Sequence, residues 1–199
     1  KEALDIISRY EASVGVTSIC PATMTIAKEE LVEVMKNAGE YSYNGGAHLV
    51  GINMEGPFIS MEKKGAQNPE FIHKPDAEMF YRLQEKAGGL IKLVDIAPEV
   101  DGAIDCIKKI KDDVRASVAH TAETYDQAKK AFDNGAKHVT HLYNGMNAFH
   151  HRNPGNDQVY PCYGSNRSLF SDRKTGVDTF LQVPVRSNLP DSRTRALML

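Results

Sequence analysis

The sequence predicts an α/β protein in which strands and helices alternate as a partial (β/α) TIM-type barrel, about five of the eight βα units of a closed one. Three observations predict it. Short apolar runs alternate with stretches of helical periodicity, the pattern of βαβ units and a parallel sheet. Three of those runs stop on a side chain able to ligate a metal: Glu55, His120 and His141. Side chains gathered at the C-terminal ends of several strands lie where barrel sites lie. An open doubly wound sheet, which also fits the alternation, collects its site at one switch point.

The elements follow in order. Leu4, Ile7 and Tyr10 fall at helical spacing, which predicts a helix over residues 1–12. Residues 14–20 form an apolar run stopped by Pro21, a buried strand. Thr25 is placed to cap a second helix with Leu31, Val34, Met35 and Ala38 inward and Gly39 as its stop. Residues 48–54 make the strand that delivers Glu55. The loop over 56–74 is long for a compact domain, and such loops are usually functional. A helix over 75–87 buries Met79, Phe80 and Leu83, and residues 90–96 form the next strand. Asp101 starts a helix with Ile104, Ile107 and Ile110 on one face. Residues 115–119 deliver His120; a helix carrying Tyr125, Ala128 and Phe132 follows; residues 138–142 deliver His141.

Composition removes several classes of function. A formal net charge of −2 and a pI near 6.4 give no reason to expect nucleic acid or an anionic membrane as partner. Cys20, Cys106 and Cys162 are odd in number and form no CxxC pair, as expected of reduced thiols in a cytoplasmic protein. No apolar run reaches the ~18 residues of a membrane span. The first residues carry no signal-peptide pattern and no starting Met, so the chain is expected to begin mid-protein.

A carboxylate and two imidazoles form a plausible shell for zinc or another divalent ion, with a fourth position for water. Strand alternation puts His141 on the face of Val139 and His138 on the face of Thr140, so His138 is expected to pack against a helix. His48 and His73, at a strand start and in a loop, read as ordinary surface or satisfied residues.

Four stretches carry a resemblance: Met54 through Phe58 (MEGPF), Lys64 through Pro69 (KGAQNP), Ala119–His120–Thr121, and Thr140 through Met146 (THLYNGM). Together they resemble the N-acetylglucosamine-6-phosphate deacetylases of the amidohydrolase superfamily, over about residues 1–155, in order and spacing. The resemblance implies a metallo-dependent hydrolase barrel that removes acetate from N-acetylglucosamine 6-phosphate. It implies Glu55, His120 and His141 as ligands of a divalent metal, zinc first and iron, manganese or cobalt as alternatives. It implies Ala66, Gln67, Asn144, Gly145 and Arg152 as substrate contacts. Many relatives carry His where Gln67 stands, and Ala where Gly145 stands. Backbone N–H groups near Asn144 and Gly145, with Arg152, suit a phosphate dianion. For full-length relatives it implies a homo-oligomer, a dimer. The family's Asp acid/base has no match here, so no catalytic residue is assigned, and this chain alone is expected to turn over weakly or not at all.

The pattern stops near Gly155. Residues 156–199 hold five Arg, one Lys and no Glu, and Pro161, Pro184 and Pro190 interrupt any periodicity. The expected division is a partial amidohydrolase barrel over 1–155 and an atypical tail over 156–199, poorly ordered and read from another frame or spliced on. Three functions stay open: the deacetylase, a non-catalytic remnant binding metal or sugar phosphate, and another single-metal amidohydrolase.

Overall fold

The computed structural model describes residues 2–148, 152 and 168–171. The elements run α1 (Glu2–Ser13), β1 (Ser18–Ile19), α2 (Lys28–Gly39), β2 (His48–Leu49), β3 (Ile52–Met54), α3 (Ala77–Lys86), β4 (Ile91–Ile96), α4 (Ala103–Ile110), β5 (Arg115–Val118), α5 (Tyr125–Asp133), β6 (His138–Leu142) and β7 (Ser168–Ser171). Every pairing among them is parallel: β1 with β2, then β3-β4-β5-β6-β7 in sequence order. A bridge from Ala22 to Asn53 carries the first pair into the larger sheet. The result is the curled half-barrel expected of consecutive βα units.

The run expected as one strand over 48–54 is two, β2 and β3, broken at Val50 and Gly51. A side chain at Gly51 would run into Lys92 on the neighbouring strand. Of the segment 156–199, Ser168–Ser171 pairs beside β6; the other expectations for it, and Cys162, lie outside the described residues.

Helices cover one face of the sheet. Leu31 and Met35 of α2, Met79, Phe80 and Leu83 of α3, Ile107 and Ile110 of α4, and Ala128 and Phe132 of α5 are buried. They share one core with Ile52, Met54, Val94, Ile96, Val118 and Val139 of the strands. Strand residues between those outward positions point to the other face, the inside of the barrel, and several are polar. α2 and α3 approach so closely that a Cβ on Gly39 would stand 2.8 Å from the Lys86 carbonyl oxygen. Asp76 caps α3 by accepting from the N–H groups of Glu78 and Met79, and Thr124 with Gln127 forms a capping box on α5.

Thr25 does not cap α2. Ala27 holds that position with no side-chain bond, and Thr25 is instead part of the site described below. Among the described residues no helix is long and apolar enough to cross a membrane.

Phe80 is fully buried between α3 and the sheet. Phe80→Ala should cost about 3–5 kcal/mol, the range for removing a buried aromatic ring, read from the urea midpoint of unfolding.

Candidate metal centre

Glu55, His120 and His141 leave three different strands and meet. Their ligand atoms lie within 4.8 Å of one another, and all three residues are buried. Glu55 Oε1 is 3.0 Å from His120 Nε2 and 3.6 Å from His141 Nε2. The two rings meet edge to face with centroids 4.8 Å apart. A tetrahedral ion with bonds of about 2.0–2.1 Å separates its ligand atoms by about 3.3 Å, so these spacings fit a divalent cation closely. The donor set, one carboxylate and two imidazoles, also suits such an ion.

Backbone conformation aims the rings. His120 has φ 45° and His141 φ 54°, both in the left-handed region that L side chains rarely adopt. At His141 the register with β7 shifts between Val139 and Leu142, so strand alternation fails there. Val139 packs on the helix side, yet His141 meets Glu55, whose face by alternation is that of Asn53. This corrects the expectation for His138. Its partner across the sheet is Ser117, whose Oγ bonds Thr140 Oγ1, which places His138 on the inner face rather than against a helix. His138 is fully buried, and burial, then the Arg115 charge, push its imidazole well below the ordinary value.

Neighbours hold Glu55 and His120. Gly56 follows Glu55 with φ 80°, and a Cβ there would collide with Thr25 Oγ1. Gln67 Nε2 donates to Glu55 Oε1 at 2.8 Å, and Gln67 Oε1 accepts from the Thr25 N–H at 2.7 Å. The long loop thus folds back as a brace. Its Lys63 carbonyl lies 2.8 Å from His120 Nδ1, so Nδ1–H donates there; Nε2, 3.0 Å from Glu55 Oε1, donates to that carboxylate when the ring is protonated and is the nitrogen left for a cation when the ring is neutral. Beyond His120, Glu99 accepts from Thr121 Oγ1 at 2.5 Å and from the Ala122 N–H at 2.6 Å.

Burial pushes the Glu55 carboxyl up, but hydrogen bonds from His120 and His141, with their charge, outweigh it and hold the group at about 2. His120 is raised: burial disfavours its charge, and the Glu55 bond, the Lys63 carbonyl and the Glu55 charge more than compensate. Deeper in the barrel, Asp95 is completely buried, and burial and the Glu55 charge push it up to about 6.

The expected substrate contacts divide. Gln67 is buried at the centre, while Ala66 and Arg152 are exposed. Asn144 is exposed too, and its N–H and that of Gly145 both donate to the His141 carbonyl, at 2.8 and 3.0 Å. Those two N–H groups close the turn after His141, and the Asn144 side-chain Nδ2 donates to the Leu142 carbonyl at 3.4 Å. Sequence reasoning missed Thr25, Lys63 and Glu99, which act through backbone atoms or on a turn.

No protein-family model matches the chain. The N-acetylglucosamine-6-phosphate deacetylase of Bacillus subtilis is 42% identical over 158 residues, 76% of this chain and 40% of that protein. The chain is homologous to the N-acetylglucosamine-6-phosphate deacetylases. An N-acetylgalactosamine-6-phosphate deacetylase of Escherichia coli is 33% identical over 77% of the chain and 42% of its own length. The solved N-acetylglucosamine-6-phosphate deacetylase of Mycobacterium smegmatis superposes with TM-score 0.71 at 33% identity, over 78% of this chain and 40% of that one. A mutant of that enzyme, solved with N-acetyl-D-glucosamine-6-phosphate, matches equally. The chain thus spans about 40% of the length of the relatives it matches.

Two predictions follow from the geometry. Gly56→Ala, strained at φ 80° and crowded by Thr25, should cost about 1–3 kcal/mol in thermal unfolding. For chelator-treated protein, His120 and His138 impose opposite pH dependences. The raised His120 value adds stability that is full below 6.5 and is lost as pH rises through it. The depressed His138 value removes stability as pH falls below 6.5, where the unfolded chain takes up a proton that the fold refuses. His120→Gln should flatten the alkaline limb of the stability profile and His138→Gln the acid limb, both measured by urea unfolding across pH.

Proposed function

We propose that the protein to which this chain belongs hydrolyses the acetamide of N-acetylglucosamine 6-phosphate to glucosamine 6-phosphate and acetate. The observation that carries the reading is the convergence of Glu55, His120 and His141 in a chain 42% identical to a deacetylase of that name. Glu55 with two neutral imidazoles leaves a divalent ion, zinc by its donor set and iron, manganese or cobalt next, with net positive charge. A bound ion of this kind supplies acidified water and a polarised carbonyl.

The chain's own residues do the rest. Glu55 and the two imidazoles hold the cation, and Gln67 and Lys63 fix the rotamer and tautomer that they present. Ala66 and Gln67 on the braced loop stand beside the site to meet the sugar. The Asn144 side chain and Arg152 supply a donor and a permanent positive charge for the phosphate. The proton acceptor that amide hydrolysis requires is assigned to no residue of this chain. The expected setting is cytoplasmic, with a phosphorylated amino sugar as small-molecule partner and a dimeric full-length enzyme.

A second reading has its own support, since the Escherichia coli relative is named for the galactosamine epimer. The test is acetate release from both 6-phosphates, with zinc added, by the intact protein and by this chain. The intact protein should release acetate faster from one epimer, and this chain should release little or none. Release from unphosphorylated N-acetylglucosamine at the same rate would refute the phosphate contacts. Metal content should fall to background in Glu55→Ala, His120→Ala and His141→Ala; metal retained by all three would refute the ligand set.

A further inference from the structure

Beneath the three ligands lies a second, wholly buried polar layer. Asn53 of β3 donates from Nδ2 to Asp95 Oδ2 at 3.1 Å. Thr140 Oγ1 of β6 donates to Asp95 Oδ1 at 2.8 Å. Ser117 Oγ of β5 lies 2.8 Å from Thr140 Oγ1. Each of these residues is at most 2% exposed. The sequence positions carry the argument. Asn53 stands two residues before Glu55, Ser117 three before His120, and Thr140 one before His141. Asp95 sits on β4, which contributes no ligand and lies inside the run of strands that do. Each ligand-bearing strand is therefore tied, just below its ligand, into one network centred on one carboxylate.

We propose that Asp95 is a positioning residue of the metal centre: its carboxylate, through Asn53, Thr140 and Ser117, sets the spacing of the strands that end in Glu55, His120 and His141. Hydrogen bonds are directional, so this layer fixes strand-to-strand distance and rotation more tightly than an apolar layer of the same volume. Ligand atoms 3.0 and 3.6 Å apart tolerate little of the drift that a loosened strand would allow. The proposal rests on the metal-centre reading, and the experiment separates the two.

Metal-free wild type, Asp95→Ala, Asp95→Asn and Thr140→Val are titrated with Co²⁺. The visible absorption band reports affinity and coordination geometry, and circular dichroism reports folding. Asp95→Ala and Thr140→Val should weaken Co²⁺ binding by ~10–100-fold and alter the band, as loss of outer-shell support does. Asp95→Asn can still accept from Asn53 and donate to Thr140, so it should restore near-wild-type binding and band. Folded Asp95→Ala with wild-type affinity and spectrum overturns the proposal, as does an Asp95→Asn no better than Asp95→Ala. Where Asp95→Ala does not fold, Thr140→Val, which keeps the side-chain shape, decides in the same way. Wild type that binds no Co²⁺ overturns the metal centre and this proposal with it; wild-type binding with unaltered variants overturns this proposal alone.

Discussion

The arrangement of the site depends on a backbone constraint: His120 and His141 must both leave their strands through positive φ. A strand continued in regular geometry would send successive side chains to opposite faces, and His141 would follow Val139 toward the helices. The left-handed step turns the imidazole inward instead, to meet the carboxylate on β3. Such a conformation costs of order 1–3 kcal/mol for a non-glycine residue and persists only where surrounding contacts over-determine it. Those contacts are visible. The His141 carbonyl accepts from the N–H groups of both Asn144 and Gly145, and Ser60 N–H donates to the His120 carbonyl at 2.9 Å. Thr121 N–H donates to the Gly145 carbonyl at 2.9 Å, which ties the segment after one ligand to the turn after the other. The two strained positions brace each other.

The long loop after Glu55 belongs to the same construction. It is pinned at both ends of its excursion. Ser60 N–H donates to the His120 carbonyl, and His73 N–H returns to the Pro57 carbonyl at 3.0 Å. Between them the Lys63 carbonyl sets the His120 tautomer, and the Gln67 amide bridges Glu55 to the backbone of residue 25. A loop of this length costs entropy to order, and the buried bond from Gln67 to the Glu55 carboxylate, with the Lys63 carbonyl on His120, offsets part of that cost. Gln67 faces two ways, donating to Glu55 with its side-chain nitrogen and accepting from the backbone of residue 25 with its oxygen, so replacing it frees the carboxylate and the loop together.

Much of this was legible in the sequence, and the limits have physical causes. Apolar periodicity placed all five helices among the described residues; α2 to α5 carry inward apolar stripes, whereas in α1 the predicted positions Ile7 and Tyr10 are exposed and the buried residues are Ser8 and Glu11. The convergence of Glu55, His120 and His141 was legible because a carboxylate or imidazole ending an apolar run is chemically conspicuous. What misled was any inference that assumed regular geometry. Alternation assigned His138 to the helix side because nothing in the residue letters marks positive φ at His141. Thr25 has the composition of a helix cap, yet its N–H and hydroxyl are placed against Gln67 and Gly56. Nor does a sequence show which carbonyl a turn will use, here that of His141 for the N–H groups of Asn144 and Gly145. Asp95 was hidden in a run that reads as an ordinary buried strand.

That last residue bears on why the barrel interior is built as it is. Barrel cores are usually filled by layers of branched apolar side chains, which pack tightly and need no partners. A carboxylate in such a layer costs desolvation, and here Glu55 adds repulsion, which is why Asp95 is pushed up to about 6. An apolar residue at 95 alone would remove both penalties but leave the buried Asn53 amide and Thr140 hydroxyl without their acceptor, and a buried polar group left unpaired costs about 1–3 kcal/mol. Only an apolar replacement of Asp95, Asn53 and Thr140 together would escape both costs, and that layer would have no directional ties between the strands. The polar layer therefore stands or falls as a unit, as expected where geometry at a site constrains the residues beneath it.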